Sequence, residues 1–178
     1  MDRRQFLSLS AQTWLGATYN VSSATGPDSR GVCDFDIAFI TDVHIERGEL
    51  AVSKFSKTIA EINSLKPAFV WDMGDMSLHL NSSKAYLDCI KRFQMPRRAC
   101  LGNHDVALYD KNPPRLFNDC FGPAYYSLDF GGVHFITLDG NTVVERQVQN
   151  TIDARLDTRQ IVWLRADLEA KPEHTPFI

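Results

Sequence analysis

The sequence predicts an α/β fold, in which short buried strands alternate with amphipathic helices. From residue 34 onward, apolar runs recur between segments of helical spacing, and each run ends in a polar loop that holds aspartate, glycine or histidine. The length of 178 residues suits a single domain. A composition of 44% hydrophobic and 23% charged residues is typical of a globular protein and argues against a disordered one.

Composition also excludes several functional classes. The chain has 19 basic and 22 acidic side chains, so its formal charge of -3 gives no electrostatic reason to expect a nucleic acid or an anionic membrane as partner. No apolar run approaches the roughly 18–20 residues that cross a bilayer. The four cysteines are scattered, which excludes a zinc ribbon and a dithiol redox centre. They could form disulfides after export, but their positions suit buried thiols equally well.

The first residues resemble a bacterial twin-arginine export signal. Arg3 and Arg4 precede a mildly apolar stretch at residues 6–21, and small residues follow where a signal peptidase would cut. We therefore expect residues 1–30 to be a signal segment and linker, residues 31–178 to form the folded domain, and the protein to be periplasmic or secreted. The alternative is an amphipathic first helix in a cytoplasmic protein, because apolar residues of this stretch could share one face.

The first strand, helix and second strand follow this segment in order. Residues 35–40 form a β-rich run that ends in the polar loop 41–44. Residues 52–65 have helical spacing, and Pro67 ends this helix. Residues 68–71 form the second run, which leads into Asp-Met-Gly-Asp. The helical face consists of Phe55, Ile59, Ile62 and Leu65.

The third strand and a hairpin come next. Asn81, Ser82 or Ser83 can cap a helix that runs to about residue 93. Residues 98–101 form a third, shorter run, which ends in Gly-Asn-His-Asp. Two β-prone stretches within residues 125–138 meet at a Gly-Gly pair, which predicts a hairpin.

The last part of the chain predicts a loop, a helix and the start of a strand. Residues 141–157 are mostly polar and indicate a long loop. Thr158 can cap a helix whose apolar residues are spaced by three and four. Pro172 stops this helix, and residues 175–178 begin another strand.

Three strand ends carry side chains suited to metal binding. Parallel strands release their loops at one edge of a sheet, so these side chains can meet in one crevice. Carboxylate, carboxamide and imidazole donors suit manganese, iron(II) or zinc. Each loop alone would more often be a helix cap or a turn, but all three in succession indicate a site. The residues are Asp42, His44, Asp75, Asn103, His104 and Asp105.

The three loops are similar to the first three motifs of the calcineurin-like metallophosphoesterases. The motifs are Asp42-x-His44, Gly74-Asp75 and Gly102-Asn103-His104-Asp105, and the resemblance covers residues 34–178. Within the family, the chain looks most similar to the branch of cyclic-nucleotide phosphodiesterases and small relatives of purple acid phosphatases. The resemblance implies a β-sandwich flanked by helices (αββα).

The resemblance also implies a two-metal centre for hydrolysis of phosphoric esters, either monoesters or diesters. Asp42 and His44 would bind the first ion, Asp75 would bridge both, and Asn103 would bind the second. A hydroxide held between two manganese, iron or zinc ions would attack phosphorus in line. The expected partner is a small phosphorylated substrate.

The resemblance gives roles to His104 and Asp105, and two other histidines are interpreted from their positions. His104 would protonate the departing alkoxide, and Asp105 would orient its imidazole ring. His79 follows the second motif closely enough to contact substrate, although an ordinary loop histidine is the alternative. His134 lies within a β-run and is interpreted as a structural histidine.

The chain departs from the family pattern at its end. The family has further histidines, one after the next core strand and a later Gly-His-x-His pair, that have no counterpart here. We therefore expect an N-terminal part of the fold, with its C-terminal half missing. The second ion would then have only Asp75 and Asn103. An alternative function is an inactive remnant or an interaction module with weak metal binding.

Overall fold

The structure is a computed structural model that describes residues 34–76, 83–106, 115–144 and 151–178. The expected export segment, the substrate-contact candidate His79, and the cap candidates Asn81 and Ser82 all lie outside these residues. Within the described ranges, no helix combines the length and the apolarity that crossing a membrane requires.

A parallel three-stranded sheet lies at the centre of the fold. Its strands are β1 (Ile37–Ile40), β2 (Phe69–Asp72) and β3 (Arg97–Ala99), in the order β1-β2-β3. The register pairs Ile40 with Asp72, and Asp72 with Ala99. All three strands therefore end at the same edge of the sheet, as the apolar runs predict, with bounds that differ by one or two residues.

Two helices cover one face of this sheet. Helix α1 (Glu49–Leu65) begins after Gly48, earlier than the apolar spacing predicts, and buries Phe55, Ile59 and Ile62. Leu65, expected on the same face, is 75% exposed because it occupies the last turn. Helix α2 (Ser83–Ile90) ends before residue 93, where the chain turns toward β3.

A hairpin covers the other face. Strands β4 (Tyr126–Phe130) and β5 (Val133–Thr137) are antiparallel and are joined by Gly131 and Gly132. Both glycines have positive φ, 59° and 80°, as a type I′ turn requires. The hairpin predicted from the Gly-Gly pair is confirmed.

Strand β2 joins the two layers, because all four of its residues are buried. Val70 packs in the apolar cluster beneath α1 and α2, whereas Phe69 and Trp71 pack with Phe135 of the hairpin. Alternate side chains of a strand point to opposite faces, so this pattern requires a layer on each side. The predicted α/β class is confirmed, with helices, a parallel sheet and a hairpin in layers.

The segment 141–157 is not the long loop that its polarity predicts. It contains two antiparallel strands, β6 (Asn141–Val144) and β7 (Thr151–Ala154). Their paired residues include Thr142, Val143, Thr151 and Ile152, and β-branched side chains favour a strand even when polar residues surround them. A further helix, α3 (Arg115–Phe121), was also not predicted.

Helix α4 (Thr158–Glu169) is capped by Asp157 and not, as expected, by Thr158. The Asp157 carboxylate accepts the Gln160 N–H at 2.7 Å and satisfies one of the free donors of the first turn. Gln160 is itself buried. Its side-chain amide accepts a hydrogen bond from the Asp139 N–H and donates one to the Asp139 C=O. The helix is thereby held against the chain that follows β5.

His134 is a structural residue of this layer, as its position within a β-run predicts. It is 1% exposed, with Nδ1 2.8 Å from Asp129 Oδ1 and Nε2 2.7 Å from Asp167 Oδ2 on α4. Its backbone N–H donates to Pro176 at 2.8 Å, and an isolated parallel bridge joins it to Phe177. The strand expected at residues 175–178 is thus present as a single bridge.

Three described cysteines, Cys89, Cys100 and Cys120, are free thiols. Cys100 Sγ accepts the indole N–H of Trp71 at 3.1 Å, and burial raises the pKa of its thiol. Cys33 lies outside the described residues, so the alternative of disulfides involving it stays open.

Replacement of Phe135 by alanine tests the layered packing. The side chain is fully buried where the hairpin packs on β2, so Phe135→Ala should lower the free energy of unfolding by about 3–5 kcal/mol. Phe177→Ala is the matched control, because Phe177 is 66% exposed and its truncation should change stability by less than about 0.5 kcal/mol. Urea unfolding of both variants measures the difference. Equal losses would contradict a core that lies between the sheet and the hairpin.

Candidate metal centre

Three loops meet at the carboxyl edge of the parallel sheet. The loop after β1 is bonded to the turn after β2, since Asp42 N–H donates to Gly74 O at 3.1 Å and His44 N–H donates to Asp75 O at 3.2 Å. The loop after β3 joins the same turn, because His104 N–H donates to the Asp75 carboxylate at 3.0 Å. The turn after β2 is therefore the common attachment point.

The backbone of the first two loops is strained. Asp42, His44 and Asp75 have φ values of 55°, 43° and 58°, in the left-handed region. Among the non-glycine residues that the structure describes, Lys66 is the other case, and it caps the end of α1. Such conformations cost on the order of 1–3 kcal/mol each and concentrate at functional sites.

Two glycines allow the second and third loops to touch. A Cβ atom on Gly74 would lie 2.6 Å from the backbone nitrogen of Gly102, and Gly74 has a φ of 106°. A Cβ atom on Gly102 would overlap the backbone nitrogen and carboxylate of Asp75. The glycines of both motifs are therefore required by direct contact between the loops.

His44, Asp75 and His104 form a group of the size that a metal ion needs. One ligand atom from each lies within 4.8 Å of the other two. His44 Nε2 is 3.8 Å from Asp75 Oδ2, and the His44 and His104 rings meet edge to face at 4.9 Å. His44 is buried, Asp75 half-buried and His104 exposed, so one side of the group is open to solvent.

The two other expected ligands lie at the border of this group. Asp42 Oδ1 is 3.7 Å from His44 Nε2, and the Asp42 side chain is 62% exposed. Thr41 Oγ donates to the other Asp42 oxygen at 2.7 Å. Asn103 is exposed and begins a short 3-10 turn, Asn103–Asp105, directly before His104. Ligand roles for Asp42 and Asn103 stay predictions.

The sequence predicts His104 only as the proton donor to the leaving group, but its position also suits a metal ligand. The Gly-Asn-His-Asp signal identified the residue, but not the approach of its ring to His44 and Asp75. Asp105, expected to orient that ring, is buried and accepts the Gly102 N–H at 3.1 Å. This bond closes the loop that carries His104, while orientation of the ring by Asp105 stays a prediction.

Asp72 is a residue of this region that the sequence reasoning missed. It is the last residue of β2, only 3% exposed, and it accepts hydrogen bonds from the Tyr86 hydroxyl and from Gly74 N–H at 3.1 Å. Burial raises its pKa to about 7, although the two hydrogen bonds oppose the shift. The signal in the sequence that could have identified Asp72 is an aspartate at the end of an otherwise apolar run.

Comparison with known proteins identifies a family for this arrangement. The family model of the calcineurin-like phosphoesterases matches residues 35–178. Among solved structures, the chain is similar to the crystal structure of AQ665, a protein of unknown function from Aquifex aeolicus. The similarity has 16% identity and a TM-score of 0.39, and covers 75% of this chain and 72% of that one. No curated protein matches the chain.

Replacement of Gly74 by alanine tests the contact between the loops. The new methyl group would clash with Gly102 backbone and also strain a positive φ, so Gly74→Ala should lower stability by more than about 2 kcal/mol. Gly48→Ala is the matched control, because Gly48 also has a positive φ, 88°, but no atom within 4 Å of the new methyl group. Gly48 has a φ of 88° and a ψ of -163°, so the expected cost of its replacement is that backbone strain alone, about 1–3 kcal/mol, and Gly74→Ala should exceed it because of the added clash. Thermal unfolding compares the two, and equal losses would rule out the contact as the cause.

Proposed function

The chain belongs to the calcineurin-like phosphoesterase family, and on that premise we propose that it hydrolyses phosphoric esters with the help of bound divalent metal ions. The observation that carries the proposal is the group of His44, Asp75 and His104 at the meeting point of three loops. The substrate is a phosphomonoester or phosphodiester small enough to reach the exposed side of this group.

The donor set fits divalent transition metals. Carboxylate, imidazole and carboxamide donors, here from Asp42, Asp75, His44 and Asn103, suit zinc, iron(II) and manganese. Asp42, His44 and Asp75 would hold one ion, and Asp75 with Asn103 would hold a second, as the family pattern implies. When bound, such ions polarise a phosphoryl oxygen and lower the pKa of a bound water to near neutrality.

The positions of Asp75, His44 and His104 favour a different role for each. Asp75 is held by the backbone of the His104 loop, so its carboxylate is fixed before any ligand arrives. The His44 side chain is buried and lies between the two aspartates, at 3.7 and 3.8 Å, where it is shielded from solvent. His104 is exposed at the open side, where it can donate a proton to the departing alkoxide.

Asp75→Asn tests the metal-dependent reaction. The amide keeps the shape of the side chain but removes its charge, so turnover of 4-nitrophenyl phosphate and bis(4-nitrophenyl) phosphate with added manganese should fall by about 100-fold or more. Glu173→Gln is the matched control, because it makes the same change at an exposed position and should leave turnover unchanged. Equal background in the wild type and Asp75→Asn would instead support an inactive remnant.

His104→Ala separates a proton donor from a metal ligand. As a general acid, His104 should matter most for a poor leaving group, so turnover of an alkyl ester should fall by about 10²–10⁴-fold while a 4-nitrophenyl ester loses much less. Manganese content, measured by atomic emission, should stay the same. The control is His174→Ala, which removes an exposed imidazole near the chain end. Equal losses on both esters together with lost manganese would assign His104 as a ligand.

A further inference from the structure

We propose that Asp72 is a positioning residue whose buried carboxylate holds the turn that presents Asp75 to the metal centre. This inference rests on the proposed function, since it assigns a support to the same site. Asp72 itself is not expected to touch metal or substrate.

The first step is the bond from Asp72 to the turn. Its Oδ1 accepts the N–H of Gly74 at 3.1 Å, and its Oδ2 accepts the hydroxyl of Tyr86, which is 1% exposed on α2. The backbone C=O of Asp72 also accepts the Cys100 N–H at 2.7 Å, so the residue is bonded to the chain directly after β3. The carboxylate thus links the end of β2 and the buried hydroxyl of Tyr86 on α2 to a glycine with a φ of 106°.

The positions of the other two motif loops depend on this turn. Gly74 O accepts the Asp42 N–H, Asp75 O accepts the His44 N–H, and the Asp75 carboxylate accepts the His104 N–H. The first and third motif loops are therefore both bonded to the second, the first through residues 74 and 75 and the third through residue 75. A displacement of the turn would move all of their candidate donors relative to one another.

The third step is that packing alone does not explain a carboxylate here. Burial of an ionisable group is costly, and an apolar side chain would fill the same space without that cost. Ionised, the carboxylate makes charge-assisted bonds about twice as strong as neutral ones. Its charged and titratable neighbours are Tyr86 from α2, Arg97 from β3, Cys100 after β3, and Asp105 from the third loop. Arg97 favours the ionised form and Asp105 opposes it.

Two replacements of Asp72 test the role in the full chain, with manganese alone as the probe. Asp72→Asn keeps an acceptor for Gly74 N–H and can donate to the Tyr86 oxygen, whereas Asp72→Leu removes both bonds. At pH 8, isothermal titration calorimetry should show affinity for manganese weakened about 100-fold by Asp72→Leu and about 10-fold by Asp72→Asn. Partial rescue by the amide is not expected if the residue only fills space.

The pH dependence of the same titration identifies the charge. Above a pKa of about 7 the wild-type carboxylate is ionised, and below it the group is neutral, like the amide. The ratio of the dissociation constants of Asp72→Asn and wild type should therefore fall from about 10 at pH 8 toward 1 at pH 6.

Tyr86→Phe keeps the proposal testable if Asp72→Leu fails to fold. Loss of the hydroxyl removes a hydrogen bond that lowers the pKa of Asp72, so the pKa should rise. As the pH is lowered, manganese binding should therefore begin to weaken at a higher pH than in the wild type. Tyr125→Phe is the matched control, because its half-buried ring packs on Trp163 and it should leave the pH profile unchanged.

Three results would overturn the positioning role while manganese still binds to the wild type. These are wild-type affinity in folded Asp72→Leu, a ratio that stays constant between pH 6 and 8, and identical pH profiles for Tyr86→Phe and Tyr125→Phe. Absence of manganese uptake by the wild type is a different result, because it would overturn the proposed function and this inference with it.

Discussion

The close contact between the Gly74 turn and the loop at Gly102 is the constraint on which the candidate metal centre depends. The two backbones approach so closely that neither position has room for a Cβ atom. This contact places Asp75 beside the loop that carries His104, and the His104 N–H bonds the Asp75 carboxylate. The backbone contact therefore brings the loops together, and the bond from the His104 N–H holds the Asp75 side chain beside them.

The sheet supplies the rigidity that such loops require. Three strained residues in one small region cost several kcal/mol by the usual figures, and that cost has to be offset by packing elsewhere. Strand β2 meets this requirement, because it is buried on both faces between two apolar clusters. The turn with Asp75 leaves the end of this buried strand and is bonded to the loop that holds Asp42 and His44, which explains how unfavourable backbone conformations persist there.

The chemistry of the site follows from an asymmetry in exposure. His44 is buried, Asp75 is half-buried and His104 is open to solvent, so a ligand can approach this group from the side of His104. The family match supports phosphoric esters as the class of substrate. His104 combines two possibilities, proton donor and metal ligand, because it lies both at the open side and within reach of the other donors.

Much of this arrangement was predictable from local patterns. The three strands, the hairpin at Gly131 and the polar strand ends were correctly predicted, since each depends on residues that are close in sequence. A loop was predicted where β6 and β7 lie, because the segment is mostly polar. The pairing of its β-branched residues across the two strands is evident only once the strands are aligned. The cap of α4 was misplaced by one residue, since Thr158 and Asp157 both suit that role.

The sequence by itself determined the α/β class and which residues stand at the ends of the strands, because hydrophobic periodicity and turn residues are local properties. Only the tertiary structure decided that Gly74 and Gly102 touch, that His104 lies beside His44, and that Asp72 is buried against Tyr86. Those contacts join residues far apart along the chain, and no local pattern specifies a distance between them. The residue types specify which donors are available, whereas the distances between those donors depend on how the strands align in the sheet.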